Sequence, residues 1–260
     1  MSTVNLYFKF LAVHLKSAMA YKNSFLLSCL GSMLGTLNVF LGVVFLLDRF
    51  GTIGGYTLSQ LSLCYGVILL ATSLAECFAR GFDNFAQVLA QAQFDRILVR
   101  PRSLVFQVLC QDLCPHMLAR VLQGGVMLFW GVRSGAVAWT AGKALTLAAM
   151  ILCGAAVFFG LFLINAALCF FTTESLEVMN IFTDGPREYG KYPFGIYGRP
   201  VLVILTCLVP LALVQHWPLL YLLDRGPAWY GLLPAAALLF LIPCVALWRL
   251  GVRHYRSTGS

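Results

Sequence analysis

Three ionisable residues recur at intervals of four in an otherwise apolar stretch of the chain: Asp112, His116 and Arg120. On a helix this spacing places the three side chains on one face, one above the other. Ionisable side chains are costly in lipid and normally face a partner or a water-filled path. Two interpretations stay open. The stripe is either a proton relay in a translocation path, or an intramembrane polar network in which Arg120 neutralises Asp112 or pairs with a neighbouring helix.

The same stretch holds two cysteines one helical turn apart, Cys110 and Cys114, close to His116. Pro115 interrupts the helix and no further ligand set follows, so we expect no metal site. The chain lacks the H-E-x-x-H and G-x-S-x-G motifs, so we expect no catalytic residues. It also lacks G-x-x-x-x-G-K-S/T, so we expect it to bind no cofactor and to hydrolyse no ATP itself.

Composition indicates which elements must position these residues. Hydrophobic residues make up 60% of the 260 positions and charged residues 11%, whereas a soluble domain is about half apolar and about a quarter charged. The apolar residues are concentrated in long runs, which is typical of helices that have lipid as their solvent. The net charge of +8 is not gathered into one patch, so we expect no nucleic-acid partner. The chain is therefore predicted to lie in a lipid bilayer.

The apolar runs predict an all-α integral membrane protein with six transmembrane helices. The predicted spans are Leu26–Leu47, Leu58–Phe78, Leu113–Val132, Ala144–Phe171, Val201–Trp217 and Trp229–Leu250. Residues 1–25 are predicted to form a cytoplasmic interfacial helix, because Asn5, Lys9 and Lys16 share one face of an otherwise apolar helix. Residues 26–250 then form the transmembrane domain, and residues 251–260 form a cytoplasmic tail.

The basic residues predict the orientation of the chain. Thirteen Lys and Arg residues fall in the N-terminal segment, the second and fourth loops, the end of the sixth span and the C-terminal tail, against four in the opposite loops. Cytoplasmic loops carry an excess of Lys and Arg. We therefore expect both termini in the cytoplasm.

A short amphipathic segment lies in the loop between the second and third predicted spans. Phe94, Ile97 and Leu98 stand at helical spacing between charged residues, and Pro101 ends the helix. Such a helix either lies against lipid headgroups or docks into a groove on a soluble partner, and periodicity leaves both open. The loop between the fourth and fifth spans, Thr172–Pro200, mixes acidic, basic and aromatic residues and is also predicted to face the cytoplasm.

Two stretches carry a resemblance to a known family. One is Phe94-Asp95-Arg96-Ile97-Leu98-Val99-Arg100-Pro101, and the other is Lys191-Tyr192-Pro193-Phe194-Gly195-Ile196-Tyr197, followed by Pro210 and Pro218. Together with the layout of the spans, they resemble the permease subunits of ABC-2-type exporters, in the branch associated with daunorubicin-resistance-type ATPases. The resemblance implies a protein of the bacterial inner membrane, with an interfacial elbow helix, a cytoplasmic coupling helix and a re-entrant piece before the last span.

The resemblance also implies partners and a site. A separate ABC ATPase subunit would bind ATP and Mg²⁺ and contact the coupling helix, and a second permease subunit, identical or paralogous, would complete the pathway. The residues implied to couple to the ATPase are Phe94, Asp95, Arg96, Ile97, Leu98, Arg100 and Pro101. The cargo is expected to be an amphipathic molecule that leaves the cytoplasm, and the sequence does not identify it.

Alternatives remain for both function and fold. A proton-coupled secondary transporter would use Asp112, His116 and Glu76, although the two halves of the chain show no convincing repeat. A membrane-embedded enzyme ranks third, because only the Asp112 stripe resembles a catalytic cluster. In the fold, Pro218–Leu223 either belongs to a re-entrant segment or ends a continuous fifth span that is kinked at Pro210.

Overall fold

Long apolar helices account for most of the chain, because runs rich in Leu and Ala without helix breakers favour uninterrupted helix. The computed structural model describes residues 3–135, 137–172 and 177–255. Within these ranges every regular element is a helix, and the chain is an all-α integral membrane protein. Glu174 and Arg256, which the sequence analysis places on the cytoplasmic side, lie outside the described residues.

Among the described residues, the first half of the chain contains seven α-helices, with a 3₁₀ turn at Pro115–Met117 before the seventh. They are α1 (Thr3–Ala20), α2 (Lys22–Phe50), α3 (Leu58–Asp83), α4 (Phe85–Ala90), α5 (Gln93–Leu98), α6 (Leu104–Leu109) and α7 (Leu118–Arg133). The second half is more broken. It contains α8 (Ala141–Thr172), α9 (Glu177–Thr183), α10 (Gly185–Tyr189), α11 (Arg199–Val203), α12 (Leu211–Val214), α13 (His216–Leu222), α14 (Leu233–Ala237) and α15 (Leu241–His254).

Helix α3 lies at the centre of the bundle, and nearly every residue from 61 to 82 is buried. Helix α7 packs closely along one side of α3. A Cβ atom on Gly66 would lie only 3.1 Å from the amide nitrogen of Leu128. Helix α8 packs against α3 elsewhere, where a Cβ atom on Gly154 would lie 2.9 Å from Cβ of Ala71. Small residues permit this close approach of helix axes, which is the usual way that helices associate in lipid.

Four helices of the described chain are long and apolar enough to cross a membrane, or five spans result if one bent pair is counted as a span. The four are Lys22–Phe50, Leu58–Ala90, Ala141–Thr172 and Ala228–His254, and the bent pair is Arg199–Cys207 with Leu211–Leu222. Helix α7 has 16 residues and is therefore roughly 24 Å long, shorter than a hydrocarbon core of about 30 Å. The count of six spans stays a prediction.

The predicted third span, Leu113–Val132, begins too early in the sequence. Residues 112–114 are not helical, Pro115 opens the 3₁₀ turn, and α7 begins at Leu118. Proline disfavours helical conformation in the residue before it, and Cys114 accordingly has φ −106° and ψ 80°. Asp112 therefore does not share a helix face with Arg120, and the predicted stripe along one helix is wrong.

The N-terminal segment forms a helix of its own. Helix α1 ends at Ala20, and the backbone leaves helical geometry at Tyr21, where φ is −108° and ψ is 71°. The hydroxyl group of Tyr7 donates a hydrogen bond of 2.9 Å to the carbonyl oxygen of Phe78. Helix α1 is therefore fixed beside the C-terminal end of α3, separately from the long helix α2 that follows it.

The predicted fifth span is broken into two arms. Helical residues Arg199–Cys207 and Leu211–Leu222 meet at an angle of 87°, and Val209 between them is extended, with φ −122° and ψ 101°. Pro210 has no amide hydrogen to continue the helix across this point.

Both ends of the bent segment lie at the same end of the bundle, beside the loop of residues 51–57. Ahead of the first arm, the side chain of Ile196 packs over Gly54. After the second arm, the guanidinium of Arg225 donates to the carbonyl oxygen of Gly55 at 3.4 Å and lies over the ring of Tyr56. This is the geometry of a re-entrant segment and not of a continuous, kinked span.

The loop predicted over Thr172–Pro200 is therefore not confined to one end of the bundle. Gly190 packs against Ile68 in the middle of α3. Ile196 reaches the loop of residues 51–57, at the N-terminal end of α3. The interpretation of this stretch as an inner loop is wrong from Gly190 onward, because its aromatic residues and small residues pack against the bundle. Lys191 and Arg199 therefore no longer count among the basic residues predicted on the cytoplasmic side. The excess of Lys and Arg predicted on that side remains without them.

Candidate functional site

The short helix α5 is held at the C-terminal end of α3 by its apolar side. The side chain of Phe94 is fully buried. Its ring centroid lies 5.4 Å from that of Phe85, 5.2 Å from that of Phe170 and 4.9 Å from that of Tyr255, all with edge-to-face geometry. Such aromatic pairs each contribute roughly 0.5–1.5 kcal/mol beyond burial. This aromatic cluster, Phe85, Phe94, Phe170 and Tyr255, fixes the position of α5.

Two further residues of α5 also face inward. Ile97 is buried, and the hydroxyl group of Tyr255 donates a hydrogen bond of 2.9 Å to Oδ1 of Asp95. Phe94, Asp95 and Ile97 thus hold the helix on its own chain. The residues on the outward side are exposed: Arg96, Leu98, Val99, Arg100 and Pro101. Of the predicted coupling residues, Arg96, Leu98, Arg100 and Pro101 are therefore the ones that a soluble partner can reach.

The aromatic cluster connects α5 to the ends of two long helices. Phe170 lies near the C-terminal end of α8, and Tyr255 directly follows α15. Trp248 of α15 joins the same contacts, with its ring centroid 5.4 Å from that of Phe170. The rings therefore form a continuous close-packed path from α5 to α8 and α15.

The structure does not join the three predicted intramembrane residues in one network. Nδ2 of Asn84 donates a hydrogen bond of 2.5 Å to Oδ2 of Asp112. Arg120 instead pairs with Glu76, through Nη1 and Oε2 at 2.8 Å. The network interpretation of the stripe gave Arg120 two possible partners, Asp112 or a neighbouring helix. The contact with the neighbouring helix is present, and the contact with Asp112 is not.

Glu76 is the centre of the network that does form. It is 2% exposed and lies within 2.8 Å of Arg120 and 3.6 Å of Arg80. The side chain of Arg120 is 14% exposed, whereas that of Arg80 is 26% exposed. The pair of Glu76 with Arg120 therefore ties α3 to α7 in a buried setting, where an unpaired charge is expensive.

His116 lies in the 3₁₀ turn before α7 and is half-buried. Because α7 begins only at Leu118, His116 is not part of the helix that carries Arg120.

A polar cavity of about 390 Å³ lies beside Arg120 and at the surface of α2. Its charged lining consists of Arg120, Asp184 and Glu188, and the glycines of α2 form one of its walls. The cavity therefore brings charges of both signs to the side of an apolar bundle. The lining residues are Gly31, Ser32, Gly35, Thr36, Val39, Tyr65, Arg120, Asp184, Gly185 and Glu188.

One face of α2 is open. A Cβ atom on Gly31, Gly35 or Gly42 would have no neighbour within 4 Å, and Asn38 is exposed. At 100° per residue these four positions fall within about 60° of one another. The glycine face, defined as Gly31, Gly35, Asn38 and Gly42, is therefore a flat strip with a polar group at its centre, which suits close packing of another helix.

A second and larger cavity of about 730 Å³ lies at the bend of the re-entrant segment. Its lining is apolar, with Leu161 of α8, Pro210 at the bend and Phe240 before α15.

An ion pair joins the re-entrant segment to α8. Nζ of Lys143 pairs with both carboxylate oxygens of Asp224 at 2.8 and 2.7 Å. That ion pair holds the end of the re-entrant segment against the start of α8.

Several of these residues are not found by sequence reasoning. Asp184 and Glu188 lie in a stretch that is predicted from the sequence to be a cytoplasmic loop. Gly31 and Gly35 form a G-x-x-x-G motif, which is common by chance in apolar helices, and Gly42 adds a third glycine to it. Lys143 and Asp224 are 81 positions apart, so no local pattern connects them. Among the described residues, no group of three or more His, Cys, Asp or Glu could hold a metal ion.

The comparison with known families gives one match over most of the chain. A family model with the description ABC-2 family transporter protein matches residues 33–259. No curated protein and no solved structure matches the chain. The matched range begins within α2 and ends beyond α15, so it includes α5, the polar cavity and the re-entrant segment.

Proposed function

Because this chain belongs to the ABC-2 family of transporter proteins, we propose that it exports an amphipathic molecule with energy from ATP hydrolysed by a separate subunit. The chain itself is a multi-pass membrane permease of the ABC transporter class. In the proposal it lies in a bacterial inner membrane with both termini in the cytoplasm. The match names the family and not a branch of it, so the relation to daunorubicin-resistance-type transporters stays a prediction.

The exposed side of α5 is the observation that carries the proposal. Arg96 and Leu98 are exposed on a helix whose opposite side is locked into the aromatic cluster, and Arg100 is exposed just after that helix. An exposed mixture of apolar and cationic side chains on a rigid support suits docking of a short helix into a groove of a soluble protein. We assign this groove to an ABC ATPase, which would carry the ATP and Mg²⁺.

The aromatic cluster gives the proposed coupling a mechanical route. When the ATPase closes on nucleotide, its displacement of α5 reaches Phe170 of α8 and Tyr255 after α15 through direct ring contacts. Helix α8 packs on the central helix α3, where Gly154 meets α3 closely, and α15 packs on α8. The bundle would therefore tilt as a unit, because packed cores move rigidly between discrete arrangements.

A second permease subunit, identical or paralogous, would pack on the glycine face of α2. Most of α2 is exposed, including Leu27, Leu34 and Phe45, so the helix buries little of its apolar surface against its own chain. The polar cavity opens beside this face. A second subunit placed there would enclose Arg120, Asp184 and Glu188 at the junction, with apolar walls around them. Such a path suits a cargo with both charged and apolar parts.

Substitution of Arg96 by glutamate tests the proposal. We expect R96E to abolish stimulation of ATPase activity by the permease and to weaken its co-purification with the ABC ATPase encoded beside it, because a charge reversal at a close contact costs several kcal/mol. R133E is the matched control, since Arg133 is exposed at the opposite end of α7. Stimulation of ATPase activity is measured in reconstituted vesicles with ATP in the assay medium.

Two outcomes would contradict the proposal. Unchanged binding and stimulation in R96E would remove α5 from the ATPase contact. Transport in sealed vesicles without ATP, driven by a pH gradient, would favour the secondary transporter that uses Asp112, His116 and Glu76. In the structure Glu76 pairs with Arg120 and Asp112 with Asn84, so these groups do not form a continuous relay.

A further inference from the structure

A basic groove separates the N-terminal helix α1 from the segment around α5. It has a volume of about 460 Å³ and is lined on one side by Leu6, Phe10 and His14 of α1. The other side carries three arginines, Arg96, Arg100 and Arg102. The remaining lining residues are Gln93, Ile97, Phe106, Gln107, Cys110 and Gln111, so none of the side chains that line the groove is acidic.

The three arginines are not neutralised within the described part of the chain. All three are exposed, and none of them makes an ion pair with a described residue. Asp95, the nearest carboxylate in the sequence, accepts a hydrogen bond from Tyr255 on the inner side of α5. Like charges gathered around one cavity repel each other, and an anion in the cavity would relieve that repulsion.

The backbone that carries the arginines is held in place. Nε2 of Gln107 donates hydrogen bonds to the carbonyl oxygens of Ile97 at 3.1 Å and Arg102 at 3.0 Å. These two bonds bracket Arg100, so the segment is positioned before any ligand arrives. A held backbone lowers the entropic cost of binding, and the planar guanidinium group is suited to bidentate contact with phosphate oxygens.

The apolar wall indicates the kind of anion. Leu6 and Phe10 line the groove from α1, and Phe8 and Val13 of the same helix are exposed, at 58% and 62%. An exposed apolar helix of this kind lies among lipid headgroups and the upper acyl chains. A ligand that lies between α1 and the arginines therefore meets cationic groups at one end and apolar surface at the other.

We infer that this groove binds the phosphate-bearing headgroup of an anionic phospholipid, with its acyl chains along α1. Basic pockets at the cytoplasmic side of membrane proteins recognise such headgroups. The bound lipid would join α1 to the segment that follows α5. The inference does not rest on the exporter function. Arg96 and Arg100 border both this groove and the proposed ATPase contact, whereas Arg102 belongs to the groove alone.

The test is binding of short-chain lipids to the purified full-length protein in detergent. Dioctanoyl phosphatidylglycerol should bind at least about tenfold more tightly than dioctanoyl phosphatidylcholine, which has the same chains and no net charge. One cationic contact contributes about 1 kcal/mol, so R102Q should weaken binding of phosphatidylglycerol about fivefold, and R100Q/R102Q about 25-fold. R102K should retain most of the affinity, and R133Q, at the other end of the bundle, should retain all of it.

Three results would overturn the inference. Equal affinity for the two lipids would show that charge is not recognised. Competition by inorganic phosphate at the same concentration as phosphatidylglycerol would assign the groove to a free anion. Lipid affinity that is unchanged in R102Q, together with loss of the ATPase from the complex, would assign the groove to that protein partner. Thermal unfolding of each variant without lipid checks that the fold is intact.

Discussion

At the scale of single residues, the buried carboxylate of Glu76 decides how the polar groups inside the bundle are arranged. It takes Arg120 of α7 as its close partner and Arg80 of its own helix as a longer one. Both contacts are between opposite charges, but they differ in burial. The contact between helices is the one that excludes solvent, and it connects α3 with α7.

Removal of Arg120 should therefore destabilise the protein more than removal of Arg80. In R120M the carboxylate of Glu76 loses its buried partner, which costs roughly 3–5 kcal/mol for such a pair. In R80M the lost contacts, with Glu76 at 3.6 Å and Asp83 at 3.5 Å, belong to a side chain that is 26% exposed, so the loss should be about 1 kcal/mol or less. The thermal midpoint of each variant in detergent measures the difference. Equal midpoints for the two variants would contradict this account.

At the scale of elements, α5 shows how a six-residue helix acquires a fixed position. A helix this short is not stable in isolation. Phe94 and Ile97 enter the core, the hydroxyl group of Tyr255 holds Asp95, and the exposed side remains free for a partner. One side of α5 therefore anchors the helix, and the other is the side that we propose docks on the ATPase.

The substitution F94A tests the anchoring side. It removes a fully buried ring from the aromatic cluster and should cost about 3–5 kcal/mol, as expected for truncation of a core phenylalanine. Hydrogen exchange of residues 93–98 should become faster, and stimulation of the ATPase should fall although no exposed contact is removed. V99A is the matched control, because Val99 is 83% exposed and its truncation should change stability by less than about 0.5 kcal/mol. Unchanged exchange in F94A would show that the cluster does not hold α5.

At the scale of the whole molecule, the chain leaves α2 largely uncovered while α3 is buried. The glycine face and the polar cavity adjoin each other on this open side. An isolated chain would present the charged groups of the cavity to lipid, which is unfavourable. The proposed second permease subunit would cover these groups and the glycine face with one interface.

The double substitution G31L/G35L tests this interface. Both side chains have room in the single chain, since a Cβ atom at either position would have no neighbour within 4 Å, so the subunit should fold. They would hold a facing helix away, and we expect the mass measured by light scattering in detergent to fall from that of two permeases to that of one. G125L is the matched control, because Gly125 also has open space but lies on α7. A dimer that persists in G31L/G35L would place the second subunit on another face.

The sequence by itself determined the solvent of this protein and the nature of its elements. Apolar runs long enough to cross a bilayer require helices, because only intrahelical hydrogen bonds satisfy the backbone in lipid. The all-α class, the family and the amphipathic character of Phe94–Pro101 follow from such local patterns. Periodicity also identified Phe94 and Ile97 as apolar neighbours, although it could not tell whether they face a partner or their own chain.

Only the tertiary structure decided which residues meet. The partner of Arg120 is Glu76, 44 positions away, and not Asp112, because Pro115 stops the helix that would have joined Asp112 to Arg120. The residues from Gly190 to Ile196 are predicted as part of a loop, yet Gly190 packs against Ile68 of α3 and Ile196 packs over Gly54. The backbone carbonyl groups of such a stretch find partners such as Gln215, which donates to the carbonyl oxygen of Gly190. Contacts of this kind join positions distant in sequence, and no local spacing encodes them.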